Sequence, residues 1–147
     1  MIIHFICTGN MYRSRIAEAC CASKCLKGLQ VRSSGIGTAF NGGGAISPYA
    51  AQVLHEYGIE RFASPLWKQT TAASVRDSDV LIFMEPQHEQ FCRAWIDYAR
   101  HLVEVWNIPD VGPGKSREDC NIEARRIFSE ICVRLDIVLR RLDFPMT

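Results

Sequence analysis

Two short runs of almost purely apolar residues, Ile2-Ile-His-Phe-Ile6 and Val80-Leu-Ile-Phe-Met84, constrain this chain more than any other feature. Runs of this length without polar alternation predict strands covered on both faces, the condition of a parallel sheet flanked by helices. The rest of the chain supplies the flanking helices. Residues 14–27 carry Ile16, Ala19, Cys20, Ser23 and Leu26 at spacings of three and four, and Gly28 stands where a cap would close that helix. Residues 29–33 predict a second strand, which runs into the glycine-rich stretch SSGIGTAFNGGGAISP. Ser47-Pro48 predicts an N-cap serine and a first-turn proline for a helix striped by Val53, Leu54 and Tyr57 and stopped by Gly58. A short helix over 71–77, the strand at 80–84, a helix over 86–94 and a strand over 102–105 follow. Ser116-Arg-Glu-Asp119 reads as a capping box for a long final helix. Its buried side is expected to hold Ala124, Phe128, Ile131, Leu135, Val138, Leu139 and Leu142.

This alternation predicts the fold class: α/β, a single three-layer domain over residues 1–147, with a four-stranded parallel sheet and helices on both faces. A chain of 147 residues can bury a core without staples. The net charge of +1 gives no field suited to nucleic acid, and no stretch approaches the roughly 18 apolar residues of a membrane span. Neither partner is expected. The N-terminus shows no basic n-region or small-residue cleavage site. Seven cysteines, an odd number without CxxC or zinc spacing, read as reduced thiols in a cytoplasm, with Cys20, Cys21 and Cys25 serving packing. His4, His55, His88 and His101 are scattered, so no metal and no cofactor are implied.

In folds of this class ligands bind beyond the carboxyl ends of the strands. Cys7 ends the first strand and Asp110 follows the last, so the two ends can converge. Between Cys7 and the first helix lies Cys-Thr-Gly-Asn-Met-Tyr-Arg-Ser, residues 7–14. A loop joining a strand to a helix N-terminus turns unpaired N–H groups inward, and the helix dipole favours an anion there. Positive potential is also what lowers a thiol pKa and makes a thiolate. Gly9 lets the backbone fold tightly; Arg13 offers two donors to two phosphate oxygens; Ser14 can donate its hydroxyl to the Cys7 thiolate; Asn10 can brace the loop. The phosphate-binding set is thus Thr8, Gly9, Asn10, Met11, Tyr12, Arg13 and Ser14. The spacing C-x5-R alone is weak, since Cys120-Asn-Ile-Glu-Ala-Arg-Arg126 matches it too. That second match lies inside the expected final helix, where six residues turn through about 600° and send the two side chains apart.

The stretch CTGNMYRSRIAEA resembles the phosphate-binding loop of the low-molecular-weight protein tyrosine phosphatases, C-x-G-N-x-C-R-S-P followed by a helix. SSG at 33–35 resembles the family's serine after its second strand. DSDVLIFM at 77–84 resembles its third strand, and IPD at 108–110 the loop with its acid. The resemblance covers nearly the whole chain in order and length. It implies hydrolysis of a phosphate monoester, a phosphorylated protein or small aryl phosphate, without metal. Cys7 would attack phosphorus and form a cysteinyl-phosphate, Arg13 and the loop amides would bind the oxygens, and Asp110 would protonate the leaving group. Inorganic phosphate would be the product.

The departures from the family pattern are specific. Tyr12 replaces a second loop cysteine that in the family can pair with the nucleophile. Arg15 replaces a proline, and Val111 the proline after the acid. Gly112 and Pro113 stand where aromatic residues wall the phosphotyrosine ring; Tyr12 or Phe40 could supply that contact. In the family's arginine phosphatases a threonine follows the loop asparagine. Here Met11 follows it, which implies aryl phosphates in preference to phosphoarginine. Two other functions share the loop. An arsenate-reductase-like thiol oxidoreductase needs two further cysteines after the third strand, where this chain has only Cys92. A non-catalytic phosphate-binding regulatory protein would keep the loop without turnover.

Overall fold

The computed structural model describes residues 1–38, 44–110 and 114–145. Its strands are β1 (Ile2–Cys7), β2 (Gln30–Gly35), β3 (Val80–Phe83) and β4 (Leu102–Val105). The helices are α1 (Arg13–Ala22), α2 (Pro48–Glu56), α3 (Ala72–Asp77), α4 (Pro86–Cys92) and α5 (Arg117–Arg141), with single 3-10 turns at Glu60–Phe62 and Arg93–Trp95. All strand pairs are parallel and the sheet order is β2-β1-β3-β4.

Successive strand residues point to opposite faces, and here both faces are dry. Ile3, Phe5, Val80, Ile82 and Met84 join Ile16 of α1, Leu54 of α2 and Ile127 and Ile131 of α5 in one core. Ile6, Leu81 and Phe83 face the other way, against Val75 of α3 and Cys92 of α4. The expected three-layer arrangement is therefore the observed one. His4, pointing to the second layer, bonds Ser34 Oγ through Nε2 at 2.6 Å and Ser78 Oγ through Nδ1 at 3.1 Å. Burial, helped by the Arg32 charge, pushes its pKa down to about 3.

Several boundaries differ from the sequence expectation for local reasons. The first helix ends at Ala22 rather than at residue 27. Ser23 Oγ donates to the Cys20 carbonyl at 2.8 Å, and the chain then reverses through Cys25 (φ 49) and Gly28 (φ 82), which brings Gln30 N–H to the Met1 carbonyl. A hydroxyl that bonds the backbone competes with the helix ladder. β2 runs on through Ser33, Ser34 and Gly35 because these still pair with Phe5, Ile6 and Cys7. The Ser47 side chain makes no cap bond; its N–H donates to the Met11 carbonyl at 2.7 Å, tying α2 to the loop after β1. Ser116 does cap α5, accepting from Asp119 N–H at 3.1 Å. Leu142 falls just past α5 and is only half-buried. Among the described residues no helix is long and apolar enough to cross a membrane.

Candidate active site

Cys7 sits at the carboxyl end of β1, and α1 begins six residues later. The loop between them is held by one buried side chain, Asn10, whose backbone is left-handed (φ 52). Its Oδ1 accepts the Lys68 N–H at 2.8 Å, which fixes the amide orientation and leaves Nδ2 as a double donor. Nδ2 donates to Ser14 Oγ at 2.8 Å and to Ser33 Oγ at 3.0 Å. Ser33 in turn donates to the Glu18 carboxylate at 2.9 Å, and Ser64 Oγ donates to the same oxygen at 2.8 Å. Because Ser14 Oγ accepts from Asn10, its own proton is free to donate to Cys7 Sγ, 2.9 Å away. The bonds that reach Ser14 are therefore directed, and the chain ends on the Ser14–Cys7 contact, where the hydroxyl can donate once the thiol ionises.

Behind the loop, Gly35 approaches the backbone of residues 8–10. A Cβ at that position would lie 2.5 Å from the Thr8 carbonyl oxygen and 2.6 Å from Asn10 N. Only glycine permits this contact.

Arg13 is 2% exposed. Its Nη1 donates to Glu85 Oε1 and, at 2.9 Å, to the Ile108 carbonyl. Burial opposes ionisation of Glu85, yet the Arg13 guanidinium outweighs it and holds that carboxyl below the usual range. With Nη1 tied down, the other edge of the guanidinium is left: among the described residues Nε has no hydrogen-bond partner, and Nη2 has only long contacts, 3.4 Å to Thr8 Oγ1 and 3.7 Å to Asp110 Oδ2. That edge suits two oxygens of one anion.

Thr8 is oriented by His88, whose Nε2 lies 2.9 Å from Thr8 Oγ1. His88 Nδ1 accepts the Glu85 N–H at 3.0 Å, so the ring proton sits on Nε2 and is donated to the threonine. Burial and then the Arg13 charge push the His88 pKa down to about 4, which keeps the ring neutral.

Asp110 follows β4 and is 60% exposed. It joins Cys7, Thr8, Gly9, Met11, Tyr12 and Arg13 around a cavity of about 240 Å³, with Gly37 and Ser47 on its margin. The expected residues thus converge, including both Cys7 and Asp110. Asn10 and Ser14 brace the site from behind rather than lining it. Tyr12 is part of the cavity lining, and its buried hydroxyl has no partner among the described residues; burial first, then Glu123 and Asp110, raise its pKa. Arg15, which stands where the family pattern has a proline, is fully buried, with Nη2 3.5 Å from the Gly44 carbonyl. Phe40, Val111, Gly112 and Pro113 lie outside the described residues. No group of three or more histidine, cysteine or carboxylate side chains gathers in a metal-binding arrangement among the described residues.

Sequence reasoning missed Glu18, Gly35, Glu85 and His88. Glu85 and His88 did carry a local signal, since E-P-x-H right after a buried strand is a helix start at a sheet's carboxyl edge. Glu18 carried none. It reads as one more polar helix residue until Ser33 and Ser64 arrive from elsewhere in the chain.

The sequence model of the family described as "Low molecular weight phosphotyrosine protein phosphatase" matches residues 2–142, and the chain belongs to that family of cysteine-based phosphatases. It is 29% identical over 119 residues to a protein-arginine-phosphatase of Bacillus subtilis (strain 168), covering 78% of this chain and 74% of that one. Among solved structures it is similar to a YwlE arginine phosphatase variant with a phosphorylated active-site serine (TM-score 0.71, 25% identity, 95% and 96% of the two chains). It also shares its fold with a low molecular weight phosphotyrosine phosphatase of Vibrio cholerae O395 (TM-score 0.73, 20% identity, 95% and 97% covered).

Proposed function

We propose that residues 1–147 form a single phosphatase-like domain that hydrolyses phosphorylated proteins or small aryl phosphates through a cysteinyl-phosphate on Cys7. The observation that carries this reading is that Cys7, in contact with the Ser14 hydroxyl at 2.9 Å, lines one cavity together with Arg13 and Asp110. The thiolate attacks phosphorus, the Nε–Nη2 edge of Arg13 and the loop N–H groups of residues 8–14 hold the phosphoryl oxygens, and Asp110 protonates the departing oxygen. Water then attacks the cysteinyl-phosphate with Asp110 as base, releasing inorganic phosphate and restoring Cys7. A relative's phosphorylated active-site serine supports a phospho-enzyme at the nucleophile position.

Of the substrate classes, we favour aryl phosphates. Met11, an apolar residue, and Tyr12, an aromatic one, both line the cavity. Phosphoarginine is the second reading, supported by the names of two relatives. Both involve the same phosphoryl transfer and differ in what the cavity mouth accepts. Hydrolysis of p-nitrophenyl phosphate in the presence of chelator tests the reaction. Paired phosphotyrosine and phosphoarginine peptides of one sequence test the substrate. A higher kcat/KM for the phosphoarginine peptide overturns the aryl preference, and no hydrolysis of any of the three overturns the phosphatase reading.

A further inference from the structure

Two thiols far from the Cys7 cavity face each other across the α1–α5 contact. Cys20 on α1 and Cys132 on α5 have sulfurs 3.8 Å apart. Their surroundings differ. Cys20 is buried, whereas Cys132 is partly open to solvent. The Lys24 ammonium is held 3.3 Å from Asp136, which lies one helical turn along α5 from Cys132. The contact with Cys20, and then the Lys24 charge, hold the Cys132 thiol below its ordinary range against burial and the Asp136 charge; the same contact and burial raise Cys20. A partly exposed thiol in contact with a second thiol is the usual make-up of a redox-sensitive pair.

We infer that Cys132 and Cys20 form a second reactive thiol site, separate from Cys7, which is oxidised by hydroperoxides and closes reversibly to a disulfide joining α1 to α5. The Cys132 thiolate attacks one oxygen of hydrogen peroxide, the O–O bond breaks, and the hydroxide released takes the Cys20 proton to become water. The Cys20 thiolate then attacks the Cys132 sulfenic sulfur. The S–S bond forms as the S–O bond breaks, and the departing hydroxide takes from solvent the proton that Cys132 released on ionising, giving a second water. The two thiols lose two electrons and the peroxide gains them. The sulfurs close from 3.8 Å to roughly 2.05 Å, a movement that side-chain rotation and a small helix shift can share.

The other cysteines fit this chemistry poorly. Cys21 is buried and its pKa is pushed up to about 12. Cys92 lies in the opposite layer, where burial also pushes it up to about 12. Cys25 is exposed, with no sulfur partner among the described residues. The bond would also close a loop between positions 112 apart, so it should raise Tm.

The test treats the reduced full-length chain, as Cys7→Ser and as wild type with phosphate present, with stoichiometric hydrogen peroxide. Remaining thiols are then blocked and tryptic peptides read by mass spectrometry. The expected product links the peptide over 16–24 to that over 127–134, returns to two thiols with dithiothreitol, and is accompanied by a rise in Tm. Because Cys20 and Cys21 share a peptide, the link must vanish in Cys20→Ser and Cys132→Ser and persist in Cys21→Ser. Full alkylation of both thiols after treatment overturns the inference. So does Cys132 sulfinic acid with Cys20 still free, or a link that survives Cys20→Ser. None of these outcomes depends on turnover, so the phosphatase reading stands or falls separately.

Discussion

The chain holds the same spacing, a cysteine followed six positions later by an arginine, at two places, and the structure treats them in opposite ways. Cys7 ends a buried strand and Arg13 opens a helix, with a tight loop between. Cys120 and Arg126 both lie within α5. Arg13 is 2% exposed and tied to Glu85, while Arg126 is 53% exposed and pairs with Glu123 and Glu130 on the helix surface. Six residues of α-helix leave two side chains about 120° apart around the axis and about 9 Å apart along it, so the second pair cannot meet one ligand. Spacing alone therefore carries no chemistry. What distinguishes the first pair is a change of secondary structure inside the motif, and a shell of residues that exists only there.

The largest effect should come from the nucleophile. Cys7→Ser is expected to reduce p-nitrophenyl phosphate turnover by roughly 10⁴-fold or more while the folded variant still binds vanadate. Cys120→Ser should leave turnover unchanged. Persisting activity in Cys7→Ser would remove the distinction between the two pairs.

Next comes the acid, Asp110, on the Cys7 side of the comparison. Asp110→Ala should slow aryl phosphates with poor leaving groups by roughly 10²–10⁴-fold and activated ones far less. An equal, small loss across a leaving-group series would make Asp110 a turn residue.

The shell can be tested by its centre. Asn10→Ala removes three hydrogen bonds and places alanine at φ 52, and should cost about 3 kcal/mol of stability in urea titration together with kcat. Asn121→Ala, at the position after Cys120, should stay within about 0.5 kcal/mol. Similar losses at the two sites would show that Asn10 does no special bracing.

The smallest effect is a slope with pH. His88 and His4 have pKa values lowered to about 4 and about 3, so on acidification below 6.5 the unfolded chain takes up protons that the folded one refuses. Stability should fall between pH 6.5 and about 4 by up to about 1.4 kcal/mol per pH unit for each histidine. Because His88 loses its bond from Glu85 N–H on protonation, hydrogen exchange should rise in residues 8–13 before it rises in α5. His88→Asn should flatten this part of the slope. An unchanged slope would mean that other groups set the acid limb.

Legibility along the chain followed how local each determinant is. The apolar runs at 2–6 and 80–84 revealed the central strands because burial on both faces writes itself into every residue of a short segment. α5 was legible because its caps and its stripe lie within one stretch; its capping serine at 116 does what the sequence suggests. The end of the first helix was misjudged, since helical spacing continues to Leu26 while Ser23 and the return to Met1 decide the stop. β2 was read short for a similar reason: its serines look like loop residues until Asn10, His4 and Thr70 satisfy their hydroxyls.

The sequence by itself determined the layered α/β class, the position of Cys7 at a strand end, and the loop that joins that strand to the first helix, because periodicity and a strand–loop–helix junction are properties of neighbours in the chain. Only the tertiary structure decided which proton goes where. Ser14 has its proton available to a Cys7 thiolate because Asn10 donates to Ser14, Asn10 is aligned by Lys68 and Ser33, and Ser33 is held by Glu18. Arg13 offers one edge because Glu85, 72 positions away, holds the other. Hydrogen bonds are satisfied by whatever the fold brings within about 3 Å, and that proximity is set by packing rather than by order along the chain.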